Sequence, residues 1–267
     1  MNRLFLIAAL LAAGPGAFAQ VGLGMTPMRL ELPLQPGQAS SGALDLSTDS
    51  PNPVRVRAEL LDFYVDDSTT PQFVRNRPEE AAHSCRTWLA ANPMEAELPA
   101  ASHQLVRYSL RVPPNTAPGS YYCAIGYTAL PSAEQLKQTG IRTTVRVVAV
   151  FYALVGQPRV EGEITGLALE PVPGAPGRWF AVLSIRNRGE WHFRPQGQIR
   201  IQGENGNLLE TLQVPSFPVL PRRDQRFVIA LEKAQRGEIR SLKAGVDLGA
   251  HEAQEAVVDV PPAVPSR

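Results

Sequence analysis

The strongest constraint on the fold of this chain is the alternation of apolar and polar residues with a period of two. The segment 53–60, PVRVRAEL, places its apolar residues on one face of an extended chain and its charged residues on the other. The segment 106–112, VRYSLRV, repeats the pattern. This period belongs to a β-strand with one buried and one solvated face, so the sequence predicts antiparallel sheets rather than helices.

Short strands separated by turns indicate two sandwiches. Turn signals such as DSPNP at 49–53 and GENG at 203–206 punctuate the chain, and about seven strands are predicted in each half. In the first half they fall near 24–33, 41–47, 54–65, 86–89, 104–112, 120–129 and 141–155. Only 131–139 has a helical pattern. We therefore predict an all-β protein of two tandem immunoglobulin-like β-sandwiches, at 20–156 and 157–260, with a break at 156–158 and a flexible tail at 261–267.

The first nineteen residues, MNRLFLIAALLAAGPGAFA, have the features of a signal peptide. A positive residue precedes a short apolar run, and a small-x-small pattern ends at Ala19. The run is too short to span a bilayer, and no later segment is long and apolar enough to do so. We expect cleavage before Gln20 and a periplasmic or secreted protein without a membrane span.

The two cysteines of the chain are Cys85 and Cys123. Tyr121 precedes Cys123 by two residues, the spacing of the tyrosine corner in immunoglobulin-like domains. The predicted second strand has no cysteine, so the usual inter-sheet disulfide of antibody domains is absent. After export, a Cys85–Cys123 disulfide is expected, the alternative being two buried thiols. Such a bond would close a loop of about 38 residues and would stabilise the domain by about 4 kcal/mol.

Residue patterns of enzymes, metal sites and nucleic-acid-binding proteins are missing from the sequence. The formal net charge is +1, without a block of either sign, which argues against nucleic acid as a partner. The four histidines have no metal-ligand spacing, and no nucleophile elbow or phosphate loop occurs. We predict a protein that is not an enzyme and needs no metal or cofactor, and whose partner is another protein.

Several segments resemble bacterial envelope proteins of two sandwich domains. MTPMRLEL at 25–32, VRYSLRVP at 106–113 and RTTVRVVAVFYALVG at 142–156 resemble the first domain of periplasmic pilus chaperones of the PapD type. The segments 84–127 and 185–212 are also similar to a broader group that includes the WxL-interacting proteins. The resemblance implies a chaperone or assembly factor that binds an extended partner segment by strand addition. The alternative is a structural or adhesive envelope protein.

The resemblance also implies a binding site. A basic pair in the cleft between the domains would hold a partner carboxylate, and its first member falls on Arg29. The second falls near Ala149, which is not basic. Alternate residues of the strand before the hinge would contact the partner, and family position suggests Val145, Val147, Ala149 and Phe151. The sequence leaves open which face of this strand points outward: the set just named, or the alternate set Val148, Val150, Tyr152 and Leu154. It also leaves open whether the outward face contacts the second domain or a partner strand.

Overall fold

The structure of the protein is a computed structural model that describes residues 22–66, 70–132, 144–249 and 252–261. In its first half it contains the strands β1 (Leu23–Thr26), β2 (Arg29–Leu34), β3 (Ala39–Thr48), β4 (Val54–Val65), β5 (Pro71–Val74), β6 (Leu89–Asn92), β7 (Glu95–Leu98), β8 (His103–Arg111), β9 (Gly119–Ala129) and β10 (Arg146–Val155). Two 3-10 helices lie at Pro78–His83 and Arg86–Trp88.

These ten strands form the first sandwich. One sheet has the order β1-β3-β8-β6, and the other has the order β2-β10-β9-β4-β5, with β7 also paired to β4. Alternate residues of the long strands are buried between the sheets, as the period of two predicts: Val54 and Val56 of β4 and Val106 and Leu110 of β8 all belong to this core. The charged residues between them remain on the outside.

The second sandwich contains β11 (Gly162–Pro171), β12 (Trp179–Asn187), β13 (Gln196–Gln202), β14 (Leu208–Gln213), β15 (Asp224–Ala230), β16 (Ser241–Asp247) and β17 (Gln254–Asp259), with a 3-10 helix at Glu204–Gly206. Its sheets have the orders β11-β12-β15 and β14-β13-β16-β17, and they enclose a separate core. The prediction of an all-β protein with two sandwiches is therefore confirmed. The segment 156–158 lies between β10 and β11, and Gly156 has a φ of 88°, which glycine adopts without strain.

The first predicted strand, 24–33, is two strands in different sheets. β1 pairs with β3, whereas β2 pairs in parallel with β10. The change occurs at Pro27 and Met28, because proline has no N–H to continue a ladder. As a result β2 covers β10 from Val150 to Val155 only.

The cysteine region confirms one prediction and corrects another. Cys85 and Cys123 form a disulfide, and the Tyr121 hydroxyl donates a hydrogen bond to the Ala117 carbonyl at 2.9 Å, which completes the tyrosine corner. The predicted strand at 86–89 is wrong over most of its length. A 3-10 helix occupies Arg86–Trp88, and the strand begins at Leu89.

Three sequence predictions concern residues outside the described part of the chain. The signal peptide lies wholly within residues 1–21, and the helix predicted at 131–139 falls mainly on residues 133–143, none of which is described. All of the predicted tail except Pro261 is likewise outside the described residues. These three stay predictions.

Candidate partner-binding site at the hinge strand

β10 is the strand that leads out of the first sandwich, and part of one of its edges is unpaired within the described residues. It pairs with β9 along its whole length, but on the other side it pairs with β2 only from Val150 onward. The Val150 N–H donates to the Met28 carbonyl at 2.9 Å. Because alternate residues direct their backbone groups to the same edge, Arg146 and Val148 direct theirs to the side that β2 leaves uncovered. We call Arg146–Ala149 the open edge.

The two faces of β10 have different surroundings, and most of the contact residues predicted from the sequence lie on the inner face. Ala149 and Phe151 are completely buried in the first sandwich's core, and Val147 packs against that core. Val145, just before the strand, accepts a hydrogen bond from the Ala129 N–H. Family position suggested these four residues as partner contacts, but the side chains of Val147, Ala149 and Phe151 are committed to the domain's own interior.

The opposite face of β10 points towards the second sandwich. We call it the cleft face, and its members are Val148, Val150, Tyr152 and Leu154. Tyr152 is buried in a small cluster with Phe63, Tyr122 and Leu220, against which Val150 and Leu154 pack. Leu220 belongs to the second sandwich, so the end of the cleft face nearest the hinge is covered by that domain. The open edge lies beyond this contact.

Arg29, which the resemblance suggested as a carboxylate ligand, lies beside the cleft face, and a second arginine approaches it. Arg29 pairs with Val150 in the register of β2 and β10, and its side chain is 58% exposed. The Nε atoms of Arg29 and Arg194 each lie 3.6 Å from Oε1 of Glu31. Arg194 comes from the second sandwich and also donates to the Tyr152 hydroxyl at 3.1 Å. Two guanidinium groups from different domains thus converge on one carboxylate.

A short aromatic segment of the second sandwich explains the position of Arg194. Trp191 and Phe193 are buried, and Phe193 belongs to the core of that sandwich. His192, between them, and Arg194, after Phe193, therefore point the other way, towards the first sandwich. Sequence reasoning missed Arg194, because the alternation in WHFR shows that two side chains leave the core but not which domain they meet.

The site is strongly desolvated at its centre. His192 stacks on Tyr152 with ring centroids 4.3 Å apart, and its Nδ1 lies 3.0 Å from the Ser120 hydroxyl oxygen. Burial, followed by the positive charges of Arg194 and Arg29, lowers the pKa of His192 to about 3. Burial raises the pKa of Tyr152 to about 12. At neutral pH both rings are uncharged, so the guanidinium groups and Glu31 carry the charge of the site.

A second polar contact joins the sandwiches at the β4 side of the first domain. Arg223 donates to Oε1 of Glu80 at 2.6 Å and to the Glu79 carbonyl at 3.0 Å. Glu80 is buried and also accepts from the Tyr122 hydroxyl. Gln225 donates to the Asp66 carbonyl at 3.2 Å. The two sandwiches are therefore held together on both sides of the cluster around Tyr152.

The described residues include no group of three or more His, Cys, Asp or Glu side chains arranged to hold a metal ion. Asp62 of β4 is buried and accepts hydrogen bonds from Ser84 and from Arg86, so it has a structural role. In the same part of the chain, no helix is long and apolar enough to cross a membrane.

The fold and the site define a protein of two β-sandwiches with an open strand edge beside the groove between them. No protein-family model matches the sequence, and no curated protein is significantly similar to it. Among solved structures, the chain is similar to the complex of Salmonella enterica SafA pilin with the SafB chaperone. The identity is 12%, the match covers 91% of this chain and 99% of that chain, and the TM-score is 0.45.

Two further structures show the same degree of likeness. One is the CsuC–CsuE chaperone–tip subunit pre-assembly complex from Acinetobacter baumannii, at 11% identity, with 89% of this chain and 97% of that chain covered and a TM-score of 0.46. The other is the class 5 fimbriae chaperone CfaA, at 11% identity, 91% and 100% coverage and a TM-score of 0.45.

Proposed function

We propose that this protein is an exported, non-enzymatic chaperone or assembly factor that binds an extended segment of a partner protein by adding it as a strand to the open edge. The observation that carries the proposal is the incomplete pairing of β10. From Val150 to Val155 it has a neighbour on both sides, and from Arg146 to Ala149 its only strand neighbour among the described residues is β9. An unpaired edge beside a paired one is a template for a further strand.

The backbone of the open edge supplies only weak affinity by itself. Arg146 and Val148 each offer one N–H and one C=O, and each hydrogen bond contributes about 1 kcal/mol net. Four such bonds correspond to a Kd of about 1 mM. Stable binding therefore requires side-chain contacts as well.

Apolar side chains beside the open edge supply that further affinity. Val148 and Val150 are partly exposed, and Met28, next to the point where β2 begins to cover β10, is 59% exposed. Burying a side chain of this size contributes about 1.5–3 kcal/mol. Two such contacts added to the backbone bonds bring the Kd to about the micromolar range.

The arginine pair favours a segment that carries a carboxylate near the hinge. Arg29 and Arg194 already share the Glu31 carboxylate between them. A partner carboxylate in the same place would receive charge-assisted hydrogen bonds, and Glu31 would compete with it. Arg194 thus takes the role of second cation that Ala149 leaves vacant.

A proline substitution in the open edge tests the proposal. In Val148→Pro the lost N–H is one that β9 does not use, so the sandwich keeps its own ladder. Tagged parent and variant are each used to capture proteins from a periplasmic extract, and Arg178→Ala, at an exposed turn of the second sandwich, serves as the control. A protein retained by the parent and the control but lost with Val148→Pro supports strand addition. If the folded variant retains the same protein, the proposal is wrong and the structural or adhesive role replaces it.

A further inference from the structure

Another arginine contact lies at the end of the open edge that is farther from the hinge. The side chain of Arg146 leaves β10 on the same side as those of Val148 and Val150, because the three residues alternate along the strand. Its Nε donates to the Thr128 hydroxyl oxygen at 3.0 Å, and its Nη2 donates to Oε2 of Glu59 on β4 at 3.2 Å. The Arg146 side chain remains 39% exposed, so a segment bound at the open edge can reach it.

Glu59 has a second cationic partner besides Arg146. Arg75, whose side chain is 82% exposed, bonds to the other carboxylate oxygen, Oε1. The Glu59 side chain is only 19% exposed, and a carboxylate so placed is costly when it loses its whole counter-charge. Because Arg75 would still neutralise it, Arg146 can leave Glu59 without that cost. Arg146 is therefore a cation that can change partners.

The hinge end of the open edge has the same arrangement. There Arg29 and Arg194 share the Glu31 carboxylate, just as two arginines share Glu59 at the far end. Each of these contacts holds two positive charges and one negative charge. Between them lies Val148, whose apolar side chain is partly exposed. The open edge is thus flanked by one surplus positive charge at each end, with an apolar position in the middle.

The register shows what an added strand would place beside Arg146. Arg146 is opposite Thr128 on β9, and Glu59 lies on β4, on the far side of β9. The arginine side chain therefore reaches across two strand spacings, about 10 Å, to contact Glu59. A strand added to the open edge would lie one spacing, about 5 Å, from β10 on the other side. Its cleft-facing residues recur at every second position, one beside Arg146 and the next beside Val148.

We propose that Arg146 is a specificity-determining residue of the open edge, which selects a partner segment with an acidic residue beside it. This role rests on the proposed strand addition, because it concerns the same edge. The selected segment has an acidic residue at Arg146, an apolar residue two positions along at Val148, and a carboxylate about two positions further on, at Arg29 and Arg194. Opposite charges on neighbouring strands stabilise a pair, whereas like charges destabilise it. Arg146 thus also disfavours segments with lysine or arginine at that position.

A double-mutant cycle with the protein captured in the open-edge experiment tests the role of Arg146. Hydrogen exchange first locates the partner segment that the full-length parent protects and Val148→Pro does not, and each acidic residue of that segment is changed to its amide. Arg146→Gln and one of these amide changes should each weaken binding about threefold. Combined, they should weaken binding no more than either does alone. Arg146→Glu should weaken it about tenfold, and Arg178→Gln, at an exposed turn, should leave it unchanged.

Glu59→Gln provides a variant with the opposite sign, since it releases Arg146 and should tighten binding. Circular dichroism and thermal unfolding check each variant, and the partner's amide changes together with Glu59→Gln carry the test if Arg146→Gln does not fold. The role of Arg146 is overturned if the protected segment has no acidic residue, or if the effects of Arg146→Gln and of every amide change simply multiply. In that case the loss of binding in Val148→Pro would still support strand addition. If Val148→Pro retains the partner, both proposals are wrong.

Discussion

Tyr152 and His192 stack across the boundary between the two sandwiches, with ring centroids 4.3 Å apart. Tyr152 belongs to β10, whose first four residues form the open edge. His192 belongs to the aromatic segment that also carries Arg194. The contact therefore ties the orientation of the second domain to the strand that we propose binds the partner. It also makes the junction between the domains sensitive to acid.

The first prediction concerns that sensitivity. The pKa of His192 is about 3 in the folded protein and about 6.5 when unfolded. Between these values only the unfolded chain takes up the proton, so the stability contribution is complete above pH 6.5 and is lost as the pH falls towards 3. At pH 4.5 the loss is about 2–3 kcal/mol. In urea titrations at pH 7.5 and 4.5, the parent should lose that much more stability than His192→Gln. Equal losses would contradict the buried, neutral state of this imidazole.

The second prediction separates the two faces of β10. Ala149→Asp places a carboxylate in the core of the first sandwich, where the side chain is completely buried, and should cost at least about 3 kcal/mol. Val148→Asp points to the partly exposed cleft face and should cost about 1 kcal/mol or less. Thermal unfolding of both variants measures the difference. The reverse order would restore the contact set that family position suggested.

The third prediction compares two arginine–carboxylate pairs of similar length. Arg223 bonds to Glu80 at 2.6 Å, and Arg226 bonds to Glu170 at 2.7 Å. The side chain of Glu80 is 3% exposed and that of Glu170 is 44% exposed. Arg223→Ala removes a cationic partner of the buried Glu80 carboxylate and should lower the free energy of unfolding by about 2–3 kcal/mol. Arg226→Ala should lower it by about 1 kcal/mol or less. Denaturant unfolding of the two variants measures both changes in the free energy of unfolding. Equal changes would mean that Arg223 does not stabilise the buried Glu80.

The fourth prediction concerns the disulfide. Cys85 and Cys123 are separated by 38 residues, and removing this crosslink should cost about 4 kcal/mol on the chain-entropy model. The double variant Cys85→Ala/Cys123→Ala should therefore unfold at a lower urea concentration than the parent. Thiol labelling of the unreduced, denatured parent should modify neither cysteine. Full labelling of both would show that the native protein lacks the bond.

The fifth prediction concerns the arginine pair at the hinge, and it uses the protein captured in the open-edge experiment. Arg29→Ala and Arg194→Ala should each weaken binding of that protein about tenfold or more, because each removes a charge-assisted hydrogen bond worth about 1.5–3 kcal/mol. Glu31→Gln removes the internal competitor and should tighten binding. Isothermal titration calorimetry measures all three. Unchanged affinity in both alanine variants would remove the carboxylate from the proposal while leaving the strand pairing intact.

Local patterns in the sequence were sufficient for the sandwich architecture and for several of its details. A period of two along 53–60 and 106–112 predicts which residues are buried, because neighbouring side chains of an extended chain point to opposite faces whatever the rest of the fold is. The spacing of Tyr121 and Cys123, which is that of immunoglobulin-like domains, predicted the tyrosine corner. The disulfide followed from there being two cysteines in a chain expected to be exported.

Tertiary structure alone decided the composition of the candidate site. The run VVAVFYALV at 147–155 is apolar on both faces, so alternation cannot distinguish the face in the core from the face in the cleft. Most of the contact residues chosen from family position lie on the face in the core. Whether an edge of β10 is open depends on where β2 begins to pair with it, and whether Arg29 has a basic neighbour depends on how the second domain packs against the first. Both are contacts between residues far apart in the chain, and no local pattern encodes them.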